Sequence, residues 1–128
     1  MIVLDAGVLI AHLDPADAFH TRAVAFLEDH ATASLAMNVV TVAECLVRPT
    51  HAGAADAVTR AIDRLAIRQI GIDAGEAQDL AAVRASIRLR MPDAIVLHTA
   101  QQLRAELVTT DAALARAASG RGVIAHPL

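Results

Sequence analysis

Met1-Ile2-Val3-Leu4-Asp5-Ala6-Gly7-Val8-Leu9-Ile10 opens the chain as an apolar run broken by a single carboxylate. Ile2, Val3 and Leu4 are apolar without alternation, the pattern of a strand covered on both faces in the middle of a parallel sheet. Asp5 then stands at the strand's carboxyl end. In open α/β sheets ligands bind at that edge, because the loops leaving the strands open a crevice there. Any further acid delivered to the same edge becomes a candidate for chemistry.

Outward from this stretch the chain alternates between strand and helix signals. Val8, Leu9 and Leu13 mark a short helix, and Asp14-Pro15-Ala16-Asp17 has the form of a second helix start, with Asp14 as cap and Pro15 in first position. Phe19, Ala23, Phe26 and Leu27 follow at helical spacing as core. Ser34 to Met37 reads as a second strand, leading through Asn38 into a helix over Val39 to Val47. Thr41-Val42-Ala43-Glu44 has the form of its capping box and Arg48-Pro49 of its end. Ala54, Ala55, Val58, Ile62 and Leu65 trace the next helix.

Ile70-Gly71-Ile72 reads as a short strand, and Asp73 with Glu76 as the cap of a helix whose Leu80, Val83 and Ile87 face inward. Arg84, Arg88 and Arg90 fall in its final stretch, where cations complement the helix dipole and where they are equally placed for an outward-facing binding role. Met91 to Leu103 is a strongly apolar helix with Asp93 in its first turn. Leu107-Val108-Thr109-Thr110 reads as a strand, Asp111 stands where the chain leaves it for a helix through Ala118, Gly120 and Gly122 form a turn, and Val123 to Ala125 add a last strand. This order predicts an α/β fold, one domain over residues 1–128 with a central parallel sheet flanked by helices on both faces.

Composition narrows the function. Hydrophobic residues make up 55% of the 128 and charged ones 20%, which excludes disorder and allows a core without disulfide or metal support. The longest apolar runs are far shorter than a membrane span, and the start lacks the basic region and cleavage site of a secretory signal, so a cytoplasmic protein is expected. Cys45 is the only cysteine and is expected to be a small buried apolar residue. All 11 basic residues are Arg, which removes P-loop nucleotide binding, Schiff-base chemistry and folds that pair an aspartate with Lys. A formal net charge of −3, with two Phe and no Trp or Tyr, confines any nucleic-acid contact to local Arg residues, backbone groups and metal.

Asp5, Asp93 and Asp111 each lie near the carboxyl edge of the sheet or in the first turn of a helix there, and Glu44 lies one turn into a helix that follows a strand. Singly, each has a capping explanation. Together they surround one crevice with four carboxylates. Two like charges about 4 Å apart repel by roughly 4 kcal/mol at an effective dielectric near 20, so the cluster calls for shared protons or a hard divalent cation. Oxygen ligands of this kind suit Mg²⁺ or Mn²⁺, which lower the pKa of water and offset charge on a phosphodiester.

At these residues the sequence resembles PIN-domain ribonucleases. The strand ending in Asp5, the Thr41-Val42-Ala43-Glu44 helix, Pro92-Asp93-Ala94-Ile95 and Val108-Thr109-Thr110-Asp111 look like that family's four acidic motifs, in order along the whole chain. In length it is most similar to VapC-type toxins of bacterial toxin-antitoxin pairs. The resemblance implies hydrolysis of single-stranded or structured RNA, with Asp5 and Asp93 as direct ligands of Mg²⁺ or Mn²⁺. It also implies that Asp111 holds the metal or orients water, that Glu44 completes the site, and that Thr109 binds a metal water. Arg88 and Arg90 are candidate RNA contacts. A cognate antitoxin, its tail lying across the crevice, is likewise implied. The apolar, Ala-rich helices after Glu44 point to a homodimer.

Two departures stand out. Ala6-Gly7 supplies no hydroxyl or amide where the family often has them after the first aspartate, leaving that task to backbone N–H groups, and Ala113 stands where another acid is frequent. Weaker metal binding would follow, and with it an alternative function as a catalytically weak or inactive PIN-like protein-binding module. A metal-free mechanism built on the six histidines is a poorer reading, since they are scattered through helices and a tail.

Overall fold

The computed structural model describes residues 1–128. Five strands form one all-parallel sheet: β1 (Ile2–Leu4), β2 (Leu35–Asn38), β3 (Arg68–Ile70), β4 (Glu106–Thr109) and β5 (Ala125–Pro127), in the spatial order β3-β2-β1-β4-β5. The opening run is therefore the central strand, and Val3 and Leu4 are wholly buried. Successive side chains of a strand point to opposite faces, so Ile2 and Leu4 enter one core and Val3 the other.

On the first face lie α1 (Ala6–Leu13), α2 (His20–Asp29), α3 (Val39–His51) and α4 (Ala55–Arg64), packed through Val8, Leu9, Leu27, Val42 and Ile62. The second face is covered by α5 (Ala77–Ser86), α6 (Met91–Leu103) and α7 (Ala112–Gly120), through Val83, Val96, Leu97 and Leu114. Helices on both faces of a parallel sheet are the expected architecture. No helix is long and apolar enough to cross a membrane. Cys45 is buried, with its Sγ 3.7 Å from the Ala6 carbonyl oxygen.

Several element boundaries differ from the sequence expectation, each for a local reason. Asp14 and Asp17 do not start α2: their carboxylates accept from the N–H groups of Ala16 (2.9 Å) and Phe19 (2.8 Å), turn bonds that compete with helix and defer it to His20. The cap of α3 is Asn38, whose side chain accepts from the Val40 N–H at 2.9 Å. Thr41 lies buried inside the helix, so no capping box joins it to Glu44. Pro49 does not end α3. It sits in the last turn, where its missing N–H removes one bond and the helix continues to His51.

The edge strands are also displaced. β3 is Arg68–Ile70 in place of Ile70-Gly71-Ile72, and β5 is Ala125–Pro127 in place of Val123 to Ala125. An edge strand buries little, so its apolar residues mark it poorly, and Pro127 is tolerated there because one side has no ladder to serve. The cap at Asp73 and Glu76 is present, with Asp73 N–H donating to Glu76 at 2.6 Å, and it opens a short 3₁₀ turn before α5. That helix stops at Ser86, so Arg88 and Arg90 lie beyond it and do not serve its dipole.

Candidate active site

The parallel register builds a polar row across the carboxyl edge. Leu4 pairs with Val108 and Val3 with Ala36, which sets Thr109 of β4 and Asn38 of β2 level with Asp5. The Asp5 N–H donates to the Val108 carbonyl at 3.0 Å, continuing the ladder one residue past the strand. One carboxylate oxygen of Asp5 accepts from the Ala6 N–H at 2.7 Å and the other from the Thr109 hydroxyl at 2.7 Å. After the first aspartate the local donor to this carboxylate is thus a backbone N–H, Ala6 having no side-chain hydroxyl.

Thr109 is wholly buried, and its Oγ1 also accepts from the Asp111 N–H at 2.9 Å. One hydroxyl therefore ties the first acid to the loop carrying the last. Asp111 caps α7, accepting from the N–H groups of Ala113 at 2.7 Å and Leu114 at 3.4 Å through a single oxygen. Gly7 makes room for this loop: a Cβ there would stand 2.3 Å from the Thr110 hydroxyl.

Asn38 is a structural residue of the site that its sequence context did not single out. Besides capping α3, its amide donates to Thr99 Oγ1 at 3.1 Å, and Thr99 in turn donates to the Ile95 carbonyl at 2.8 Å. This buried chain joins the root of α3, which carries Glu44, to α6, which carries Asp93. The only available signal was an amide residue between a strand and a helix, a pattern that says "cap" and nothing about α6.

Asp93 is buried in the first turn of α6, and its carboxylate accepts from Arg90 Nε at 3.3 Å. Arg90 itself is at the N-cap of that helix with its side chain 80% exposed, against 11% for Asp93. Arg88 is exposed in the link before it. With its capping role gone, Glu44 is a half-buried acid on α3 facing the same charges.

The electrostatics bind the four acids into one group. Burial pushes the Asp5 carboxyl above its ordinary value; the Thr109 and Ala6 hydrogen bonds pull against that, and the charges of Asp93 and Asp111 push with it. Glu44 is raised by burial, then by Asp5 and Asp93, with Arg90 opposing. Burial, then Asp5 and Glu44, push the Cys45 thiol up to about 12, which leaves it an inert thiol beside the site.

No three His, Cys, Asp or Glu side chains converge closely enough to hold a metal ion as they stand. Asp5 is drawn toward Thr109 and Ala6, Asp93 toward Arg90, and Asp111 toward the amides of α7. The donor set nonetheless fits a hard divalent cation: every candidate atom is an oxygen, and a carboxylate disfavoured in its charged form by burial and by neighbouring acids is relieved by a cation. Four of the six histidines have other partners. His98 pairs with Glu76 and His126 with Glu106, while His20 and His30 meet backbone carbonyls. None is hydrogen-bonded to the four acids.

A central strand ending in an aspartate, flanked by parallel neighbours that deliver a hydroxyl and further acids to the same edge, defines a recognisable class of α/β domain. The chain belongs to the PIN domain family, whose model matches residues 2–120. Solved structures with the same fold include the following. A toxin-antitoxin complex from Klebsiella pneumoniae matches at 27% identity and a TM-score of 0.73, over 87% of this chain and 87% of that one. FitAcB from Neisseria gonorrhoeae matches at 22% identity and a TM-score of 0.76, over 98% and 96% of the two chains. VapC20 from Mycobacterium tuberculosis, a sarcin-ricin loop cleaving toxin, matches at 17% identity and a TM-score of 0.70, over 97% of each. No curated protein matches the sequence.

Proposed function

We propose that this chain is a Mg²⁺- or Mn²⁺-dependent endoribonuclease that hydrolyses single-stranded RNA, that it is the toxin of a toxin-antitoxin pair acting in the cytoplasm, and that residues 1–128 form its one nuclease domain. The observation that carries the reading is the gathering of Asp5, Glu44, Asp93 and Asp111, from four separate stretches, into one electrostatically coupled group at the carboxyl edge of the sheet. Asp5 and Asp93 would hold the ion directly, Asp111 would hold it or orient water, and Glu44 would complete the site directly or through water. Once bound, such an ion acidifies water and offsets charge on the phosphodiester.

The chain's own groups supply orientation. Thr109 and the Ala6 N–H fix the Asp5 carboxylate from two sides, and the Asn38–Thr99 tie holds α3 and α6 at a set separation. With a net charge of −3, RNA would be held locally, by Arg90 beside the acids and by the exposed Arg88 in the link before α6.

The proposed partners are a second copy and a small antitoxin. Val47, 56% exposed, and Val40 lie two turns apart on α3 and offer an apolar stripe for a homodimer. Between α1, α3 and α4 an apolar pocket of about 400 Å³, lined by Ile10, Leu13, Cys45 and Val58, reaches Glu44, a place for an antitoxin tail that crosses the crevice. The Klebsiella relative, solved as a toxin-antitoxin complex, supports such a partner.

Incubating the purified protein with single-stranded RNA and Mg²⁺, with and without excess EDTA, tests the reading, with Asp5→Asn as control. The expected products carry a 5′-phosphate and a 3′-hydroxyl and vanish in both controls. Cleavage that survives EDTA, or ends in a 2′,3′-cyclic phosphate, overturns the mechanism. Ala6-Gly7 and Ala113 favour the second reading, a PIN-like protein-binding module, and a partner complex without any cleavage would establish it.

A further inference from the structure

Arg90 is a cation that contacts Asp93 at 3.3 Å and whose field also reaches Asp111 and Glu44. Its place is unusual for a structural ion pair. The backbone of Arg90 is extended at the N-cap of α6 and its side chain makes no capping bond, so the guanidinium is attached at the rim and not packed in the core. Asp93 is the opposite case, a buried carboxylate whose side-chain hydrogen bond is to Arg90.

An exposed Arg meeting a buried acid through Nε alone, at 3.3 Å, forms a long single contact where a committed Arg–carboxylate pair is bidentate and shorter. Such a contact neutralises without locking. At the same time it occupies one of the two Asp93 oxygens, Oδ2, and sets a positive charge beside the acids where a cation would bind.

We propose that Arg90 is the built-in counter-ion of the metal-free site, giving up Asp93 when a divalent cation enters and thereby freeing its guanidinium to take a phosphate of the RNA. The inference rests on the nuclease reading and deepens it. It adds Arg90 to the interactions that hold the acids apart in the structure, beside the Thr109 and Ala6 bonds to Asp5 and the α7 amides on Asp111. It also gives metal and Arg90 an antagonistic relation, and that antagonism is measurable without turnover.

The test compares wild type, Arg90→Gln and Arg90→Lys by titration calorimetry with Mn²⁺ alone, and by binding of a single-stranded RNA oligonucleotide over a range of salt concentrations in Ca²⁺, a hard cation for oxygen ligands that is used in place of the activating ion so that the RNA stays intact. Arg90→Gln is expected to bind Mn²⁺ about three- to tenfold more tightly, the scale for removing an exposed unit charge beside a divalent ion under near-water screening. Its RNA affinity should fall, and the slope of log affinity against log salt should shrink by about 0.7, the share of one phosphate contact on a single strand. Arg90→Lys should restore the salt slope. A purely structural Arg90 would change stability while leaving Mn²⁺ affinity and salt slope alone. Unchanged or weakened Mn²⁺ binding in Arg90→Gln overturns the counter-ion role, and an unchanged salt slope overturns the transfer to phosphate. Absence of Mn²⁺ binding in the wild type itself sinks the nuclease reading instead, so the two failures are distinguishable.

Discussion

Replacing Thr109 by Val keeps the shape of a wholly buried side chain and removes its hydroxyl, which here serves two partners. The first loss is a donor bond of 2.7 Å to the Asp5 carboxylate, charge-assisted and worth about 1.5–3 kcal/mol. The second leaves the Asp111 N–H, formerly 2.9 Å from Oγ1, without its acceptor, at about 1–3 kcal/mol. Because the two bonds share one atom they do not add fully, and about 3–5 kcal/mol is the expected destabilisation at neutral pH. Thr109→Ser retains both bonds and loses one methyl, for about 1 kcal/mol. The pH dependence supplies a second handle. The Thr109 bond lowers the Asp5 pKa in the folded state, so its removal raises that pKa further above the ordinary 3.8. An acid whose folded pKa is raised contributes stability that is present at low pH and lost as pH rises through the folded value. The gap between Val and wild type should therefore be widest at neutral pH and narrow as Asp5 protonates. Urea denaturation of the metal-free proteins from pH 7 down to pH 4 reads this directly. A gap that is constant with pH, or a Val variant as stable as the Ser variant, would refute the assignment of Thr109 as the hydroxyl tie between Asp5 and Asp111.

Three further outcomes follow from the same geometry. Since Asn38 and not Thr41 caps α3, Glu44→Gln should leave thermal stability within about 1 kcal/mol of wild type, or raise it by relieving repulsion, while RNA cleavage falls by an order of magnitude or more; retained activity would exclude Glu44 from the site. Gly7→Ala puts a methyl into the Thr110 hydroxyl and should lower stability by about 1–3 kcal/mol, with Thr110→Ala in the same chain recovering most of it in differential scanning calorimetry. Cys45, buried and with its thiol raised to about 12, should resist thiol reagents in the folded protein at pH 8 and react only on unfolding; fast native-state labelling would contradict its placement under α1.

How much of this was readable beforehand follows from burial. β1, β4 and α6 are covered on both sides, so each is centred on an apolar run and its identity is written in composition: Val3, Leu4, Leu107 and Val108 are wholly buried. The acids at the ends of these runs, Asp5, Asp93 and Asp111, were legible for the same reason, because a lone carboxylate bordering such a run is conspicuous. Where burial is partial the signal weakens. β3 and β5 are three-residue edges, each placed two residues away from its expected position. Capping patterns misled twice, at Asp14 and at Thr41, since Asp and Thr bond to nearby amides in turns as readily as at helix starts, and only the path of the preceding strand decides between them. The tie from Asn38 to Thr99 joins residues 61 positions apart, and the Arg90 contact depends on where α5 stops. Neither distance along the chain nor residue type reveals such pairings; the packing of α3 and α6 on one sheet creates them.

The bond between Thr109 and Asp5 closes over 104 residues, and it does so at the centre of the sheet. During synthesis β1 emerges before β2, and its other neighbour is β4, so one side of the central strand waits until residue 109 has been made. Long-range parallel pairing of this kind is slow to form, because loop closure is unfavourable until the contacts it permits are in place. A chain translated through Leu103 already holds Asp5, Glu44 and Asp93 but has neither the hydroxyl that steadies Asp5 nor Asp111. For the proposed nuclease, activity is thus deferred to the last stage of folding, and the ribosome making it meets no finished active site until β4 has slid in beside β1.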